Sequence, residues 1–309
     1  MLPSQFSSGD VIADRRADYA RMLSEAEDFG AAAELMEQAL ELVPAWAAGW
    51  FRLGEFREKA GLETADEAYR QALALEPEDV FGARLKLALL GVEAIPDQPP
   101  SRYVEGLFDD YADRFDTALV EKLDYSVPGK LAALVAPHAP FRNVVDLGCG
   151  TGLFGAEIRG QAGYLEGFDL SLNMLARAEA KGLYDHLGQS DLSRPSEETG
   201  LFSDALPKHR ADLVSAADVL MYLGSLETVF PLVLELLAPG GFFAFSVEDA
   251  GDGEAYLLRE TLRYAHSEAY IRSLLARYGL ALLDMRKTVI RLDAGKPVHG
   301  ILFLSRKPA

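Results

Sequence analysis

The residues best suited to chemistry lie in Val144-Val145-Asp146-Leu147-Gly148-Cys149-Gly150-Thr151-Gly152. Two β-branched residues suit a buried strand. An acid follows, and then glycines fall at alternate positions. Glycine lets the backbone turn sharply and approach a ligand closely. Leu153 to Ile158 then begins a helix. Strand, glycine turn and helix together make a cofactor cradle at the carboxyl edge of a parallel sheet. Gly150, Gly152 and Gly155 also satisfy the dinucleotide pattern G-x-G-x-x-G. That pattern is weak alone, so a nicotinamide cofactor stays open at this point. Asp169 closes the next expected strand, Tyr164–Phe168, and lies 23 residues after Asp146. An acid there can hold both hydroxyls of a ribose, and dehydrogenases place one similarly.

Four further strings follow in order. Asp169-Leu170-Ser171 leads to Met174-Leu175. Gly188-Gln189-Ser190-Asp191-Leu192 ends a third strand. Ala211-Asp212-Leu213-Val214-Ser215-Ala216-Ala217-Asp218 reads as a fourth, with Val219–Gly224 turning into a helix. Leu237-Ala238-Pro239-Gly240-Gly241 stops a helix before the apolar strand Phe242–Val247; proline ends a helix and glycine supplies its left-handed cap. By themselves Met174 and Tyr222 also suit a core, Asp191 a helix N-cap, and Cys149 a small packing site.

Taken together, from about residue 103 to 309, these motifs resemble the class I S-adenosylmethionine-dependent methyltransferases. The resemblance implies an α/β fold: a Rossmann-like, mostly parallel sheet with helices on both faces and one antiparallel strand. It implies S-adenosyl-L-methionine as cofactor and S-adenosyl-L-homocysteine as product. Asp146, Gly148, Cys149, Gly150 and Gly152 would form the cradle, and Asp169 would hold the ribose. Leu170 and Met174 would flank the adenine. Asp191 would accept from its amino group, and Leu192 would offer a backbone N–H. Ala217, Asp218 and Tyr222 would line the methionine end. The lead-in Phe108–Asp116, followed by Tyr125 and Pro128, resembles helices that fold over the cofactor in this class. Tyr103, Tyr111 and Phe115 are then lid candidates, on a helix expected over Arg102–Leu123. Val127–Val135 reads as the helix before the first strand.

The methyl acceptor would meet the ends of strands four and five. Glu248 ends the fifth and is a candidate binding group or base, with a surface acid as the alternative. Tyr264 and His266 precede a helix over Glu268–Tyr278, for which Ser267 is the expected N-cap. The pKa of His266 would suit a general base near neutral pH; a structural histidine is the alternative. Leu280–Asp284 and Val298–Ser305 suit a final antiparallel pair. His138, His186, His209 and His299 show no ligand spacing, and no metal is expected.

The positioning elements before this domain are helical. Ala32, Met36, Ala39 and Leu40 precede Pro44 at the offsets at which Ala65, Tyr69, Ala72 and Leu73 precede Pro77, 33 residues on. With Trp50-x-x-Leu53-Gly54 they resemble tetratricopeptide repeats. Repeats over about 13–46 and 47–79, plus a helix at 80–94, make an all-α, TPR-like domain at 1–97. Pro96-Asp97-Gln98-Pro99-Pro100 is a stiff linker, and 98–309 is the methyltransferase domain, with lid helices over 101–143. Such arrays usually need three units, so either the helix at 80–94 caps the array or the repeats lean on the next domain, a protein partner or a second copy.

Composition narrows the partners. The 309 residues carry 30 basic and 48 acidic side chains, a net charge of −18. Without a basic cluster, nucleic acid is not expected. The lone Cys149 excludes an intrachain disulfide. No apolar run is long enough for a membrane span, no leader is seen before Asp14, and a cytoplasmic protein is expected. The function expected is SN2 methyl transfer to a small-molecule O, N or C nucleophile. Methylation of a protein recruited by the repeats is an alternative, as is a non-enzymatic scaffold with an inert pocket.

Overall fold

The computed structural model describes residues 7–112, 125–293 and 295–309. The chain divides into two compact units, Met1–Gly106 and Leu107–Ala309.

The described residues of the first unit form helices only. These are α1 (Val11–Glu25), α2 (Phe29–Leu42), α3 (Ala47–Lys59), α4 (Ala65–Leu75) and α5 (Ala83–Leu89), followed by the start of α6 (Ser101–Tyr111). Asp10 and Asp28 cap α1 and α2, accepting from backbone N–H groups of the first turn. Such caps satisfy donors that a helix leaves unpaired. α2 and α4 end shortly before Pro44 and Pro77. Buried Ala13, Ala20, Ala32, Ala33 and Ala39 let the helices approach closely. At Gly54 a Cβ would stand 2.5 Å from the Tyr69 ring, so α3 and α4 meet there only because the side chain is absent.

The second unit is an α/β sandwich. Its strands are β1 (Phe141–Leu147), β2 (Ala162–Asp169), β3 (His186–Gln189), β4 (Ala211–Ala216), β5 (Leu237–Asp249), β6 (Tyr256–Leu258), β7 (Tyr264–His266), β8 (Ala281–Asp293) and β9 (Lys296–Arg306). β3-β2-β1-β4-β5 run parallel, β9 pairs antiparallel with β5, and β8 pairs antiparallel with β9. The helices are α7 (Val127–Val135), α8 (Leu153–Ile158), α9 (Leu172–Lys181), α10 (Val229–Leu236) and α11 (Glu268–Arg277). The two-residue strand period divides the apolar side chains between two cores. Val144, Leu165, Leu213 and Ala244 pack under α7 and α8. Val145, Val214, Phe243 and Phe245 pack under α10 and α11.

Several expectations change. The fifth strand begins at Leu237, ahead of Pro239-Gly240-Gly241, with a register shift against β4 there. His266 lies in a strand, β7, which continues beside the end of β5. β6 and β7 form an unforeseen hairpin. β8 runs past Asp284 to Asp293, held by antiparallel pairing with β9 along its length; its later residues mix charged and half-exposed side chains, so no clean alternation marks it in the sequence. Of the helix expected over Arg102–Leu123, α6 covers the first part, and residues 113–124 lie outside the described residues. Ser267 caps α11 by accepting from Tyr270 N–H. No helix among the described residues is long and apolar enough to cross a membrane.

One buried ion pair ties the 201–210 loop to the sheet. Arg210 Nη2 lies 2.7 Å from Glu166 Oε2 in β2, and both side chains are nearly inaccessible. Asn143 Nδ2 also donates to Glu166, and Arg210 donates to the Leu201 carbonyl. Arg210→Met strands the carboxylate in the core. It should lower unfolding free energy by about 3–5 kcal/mol in chemical denaturation.

Candidate functional site

The site is built at the carboxyl edge of β1, β2 and β4. After Leu147 the chain turns at Gly148, whose φ of +64° is a left-handed conformation. A Cβ there would lie 2.3 Å from Val219 Cγ2, so the turn after β4 presses directly on the backbone. Gly152, at φ +90°, opens α8. Cys149 N–H donates to the Phe168 carbonyl at 3.0 Å, stitching the turn to β2. Burial raises the Cys149 thiol well above its usual pKa, so it stays neutral and packs.

Asp169 ends β2, buried. Gly150 N–H donates to Oδ2 at 2.8 Å and Ser171 N–H to Oδ1 at 2.9 Å. Burial pushes its pKa up to about 6, against these hydrogen bonds. Asp146 is also buried. Tyr184 donates to it at 2.7 Å and Ser215 at 2.8 Å. Burial nevertheless lifts its pKa to about 7. Tyr184 reaches Asp146 by lying in a slot of glycines; a Cβ at Gly155 or Gly167 would strike its ring or hydroxyl.

Met174 is fully buried on α9, whereas Leu170 is half-buried and its carbonyl accepts from Gln189 Nε2. Beyond β3, Asp191 Oδ1 accepts from the N–H and hydroxyl of Ser193, as a turn-capping acid does. Leu192 is buried beside it. Ser190 Oγ is buried with no hydrogen-bond partner. An orphaned buried hydroxyl is costly, and here it stands between Asp169, whose carbonyl accepts from Ser190 N–H, and Asp191.

From α6, Asp109 accepts from Ser171 Oγ at 2.5 Å, and its carbonyl accepts from Asn173. Phe108 meets Tyr222 edge-on, with ring centroids 4.9 Å apart. α6 therefore reaches from the Asp169 end of the edge to the Tyr222 end. Of the aromatic residues expected to cover the site, Tyr103 packs its ring on Gly82 in the N-terminal unit. The Tyr111 side chain and Phe115 lie outside the described residues.

Past β4, Ala217 is half-buried, and its carbonyl is 3.5 Å from the Tyr125 hydroxyl. Asp218 takes φ +59°. Arg291 of β8 is buried between two acids. Nη1 lies 2.9 Å from Asp218 Oδ2, and Nη2 pairs with Glu248 Oε1. Arg259 Nε is 3.4 Å from the other Glu248 oxygen. Glu248 is thus an ion-paired core carboxylate, with both oxygens engaged. Tyr264 and His266 are fully buried in β7. His266 Nε2 lies 2.9 Å from the Gly224 carbonyl, and since a carbonyl only accepts, Nε2 carries the proton. Burial lowers the His266 pKa to about 4. Both features are those of a structural histidine rather than of a base.

The expected residues Asp146, Gly148, Cys149, Gly150, Gly152, Asp169, Leu170, Asp191 and Leu192 line one edge, and Asp218 and Tyr222 adjoin it. Sequence reasoning missed Phe108 and Asp109 as contacts, and also Tyr184, Ser190 and Arg291. Only Ser190 carried a signal, as the polar neighbour of a motif acid. No group of three or more His, Cys, Asp or Glu among the described residues is arranged to hold a metal ion.

Residues 119–284 match the family model described as a methyltransferase domain, more than half of the chain. No curated protein matches. Among solved structures, a Burkholderia thailandensis 1,6-didemethyltoxoflavin-N1-methyltransferase, with that compound and S-adenosylhomocysteine bound, is 18% identical. The match covers 70% of this chain and 94% of that one, with a TM-score of 0.52. An S-adenosylmethionine-dependent methyltransferase from Mesorhizobium loti is 24% identical, covering 58% and 96%, with a TM-score of 0.44. The N-methyltransferase NodS of Bradyrhizobium japonicum is 21% identical, covering 59% and 94%, with a TM-score of 0.43.

The two buried acids set a pH dependence. Their folded pKa values, about 7 and about 6, lie above the ordinary 3.8. The folded state therefore holds protons that the unfolded chain has released, and stability falls as pH rises through that window. Asp146→Asn removes its share. In thermal melts of the ligand-free protein the variant should exceed the wild type by a few degrees at pH 8 and match it near pH 4.

Proposed function

This chain belongs to the methyltransferase-domain family and uses S-adenosylmethionine, and from that premise we propose that it methylates an O, N or C nucleophile on a small molecule. The observation that carries the reading is Asp169. Its carboxylate is oriented by two backbone N–H groups, one from the glycine turn and one from Ser171, and each oxygen keeps accepting capacity. That is a preset receptor for a vicinal diol. The orphaned Ser190 hydroxyl supports the fit, because a bound nucleoside would relieve it.

When bound, the cofactor supplies an electrophilic methyl group on a sulfonium. The chain's own work is binding, orientation and exclusion of water. In this reading Asp169 holds the ribose hydroxyls. Asp146, Gly148, Cys149, Gly150 and Gly152 present the turn to the methionine portion. Leu170, Met174, Asp191, Leu192 and Ser190 enclose the adenine. Ala217, Asp218 and Tyr222 border the methionine end, and Phe108 takes the covering role first expected of Tyr103. With Glu248 held by two guanidinium groups and His266 neutral and buried, neither serves as base here. The Burkholderia enzyme is solved with a small-molecule acceptor, and an acceptor of that size is the reading taken for this chain.

Residues 1–97 are read as a TPR-like domain and 98–309 as the catalytic domain, in a cytoplasmic protein. The capped helices, the close approach at Gly54 and the proline stops support repeats. One observation favours a second reading, in which this domain recruits a protein substrate or a second copy. Val11, Ile12, Tyr19 and Met22 on α1 are each more than half exposed.

Asp169→Ala should weaken S-adenosylhomocysteine binding by about a hundredfold in titration calorimetry, as expected for two lost charge-assisted hydrogen bonds. NAD should bind neither protein. Unchanged affinity in the variant would overturn the pocket assignment.

A further inference from the structure

Two hairpins that the core fold does not require converge beside Tyr222. The β6–β7 turn carries Arg259 and Arg263 at its two ends, closed by Arg259 N–H to the Arg263 carbonyl at 2.8 Å. The β8–β9 hairpin carries Arg291 and Asp293. The three guanidinium groups face two buried carboxylates, Asp218 and Glu248, and Arg291 and Arg259 already engage these. Arg263 is hydrogen-bonded with Tyr222, and its acidic partner is Asp293, 3.4 Å away and 42% exposed, a geometry in which solvent screens most of the attraction. The Arg263 Cζ stands 6.0 Å from the Tyr222 ring centroid, and the Phe108 ring meets Tyr222 edge-on. A cation three-quarters buried at 26% side-chain exposure thus stands beside aromatic rings at the acceptor end of the edge.

We propose that the methyl acceptor carries a carboxylate and that Arg263 is the residue that binds it. This rests on the methyltransferase reading above and names the acceptor's class. A planar guanidinium matches a carboxylate with two parallel N–H···O bonds. Asp218, Glu248 and Asp293 balance the three guanidinium groups, so a monoanionic carboxylate can take the place of the half-exposed Asp293 on Arg263 without a change of net charge, whereas a dianion such as a phosphate monoester would add a surplus negative charge. The Arg263 pKa stands above its usual value, chiefly through the Tyr222 hydroxyl, with Glu248 and Asp218 adding to it, so the group stays cationic. The carboxylate serves as an anchor. Oxygens bound to a guanidinium lose nucleophilicity, so the atom that takes the methyl is another one, oriented by that anchor.

The test is saturation-transfer NMR on the full chain saturated with S-adenosylhomocysteine, using benzoate, benzamide and phenylphosphonate as probes. Calorimetry of S-adenosylhomocysteine runs on each sample. Benzoate should bind about tenfold better than benzamide, the gain of a charge-assisted pair, and better than phenylphosphonate. Arg263→Gln should remove the preference while cofactor-product affinity stays within about twofold. Asp293→Asn, which frees Arg263, should strengthen benzoate binding. Equal binding of benzoate and benzamide, a preference that survives Arg263→Gln, or a preference for phenylphosphonate each overturns the proposal. Failure of the wild type to bind S-adenosylhomocysteine would instead overturn the reading on which it rests.

Discussion

The carboxyl edge of the parallel sheet depends on holding a carboxylate out of water at the end of β2. Asp169 is buried, and desolvation alone would neutralise it. What keeps it acidic enough to ionise at neutral pH is a pair of backbone donors, Gly150 N–H and Ser171 N–H. The Gly150 donor is aimed at Asp169 by the turn after β1, which folds back in left-handed steps at Gly148, Gly150 and Gly152; the Ser171 donor comes from the start of α9, just past β2. The parallel pairing of β1 with β2 sets the two ends side by side, in register from Phe141 against Ala162 to Leu147 against Phe168. The glycine turn, the sheet register and the acid are one arrangement.

Asp146 shows the same constraint with a different solution. Its donors are side chains, Tyr184 and Ser215, and the resulting pKa, about 7, is higher than that of Asp169. The space for Tyr184 comes from Gly152, Gly155 and Gly167, so glycines that look like a ligand-binding pattern also form the bed of a tyrosine. The opposite end of the edge is held by charge. Arg291 bridges Asp218 and Glu248, joining the ends of β4, β5 and β8 in a place where no single partner would tolerate burial.

The N-terminal unit combines close helix approach at small residues with a core of larger side chains such as Met36, Leu53 and Phe56. Alanine and glycine line its contacts, and Trp46, Tyr69 and Phe81 fill what remains. Its Glu58 illustrates economy of charge: Tyr69 donates to it at 2.6 Å and Lys86 lies 3.2 Å away, so one carboxylate serves α3, α4 and α5.

The sequence by itself determined the parts whose signals are local. Val144-Val145 followed by alternate glycines read as a strand entering a tight turn, Pro239-Gly240-Gly241 signalled a helix end nearby although it lies within β5, and Ser267 marked the start of another helix. The paired offsets before Pro44 and Pro77 placed helix ends closely. Tertiary structure alone decided what depends on pairs distant in the chain. Arg291 meets Asp218 across 73 residues and Glu248 across 43, so neither Glu248's engagement nor the burial of His266 could be read from neighbours in sequence. The β6–β7 hairpin and the far half of β8 were illegible because their residues pair at a sheet's rim, with no clean apolar alternation. Local propensity records the conformation of a short stretch; the charge state and exposure of a side chain are set by whatever the fold brings against it.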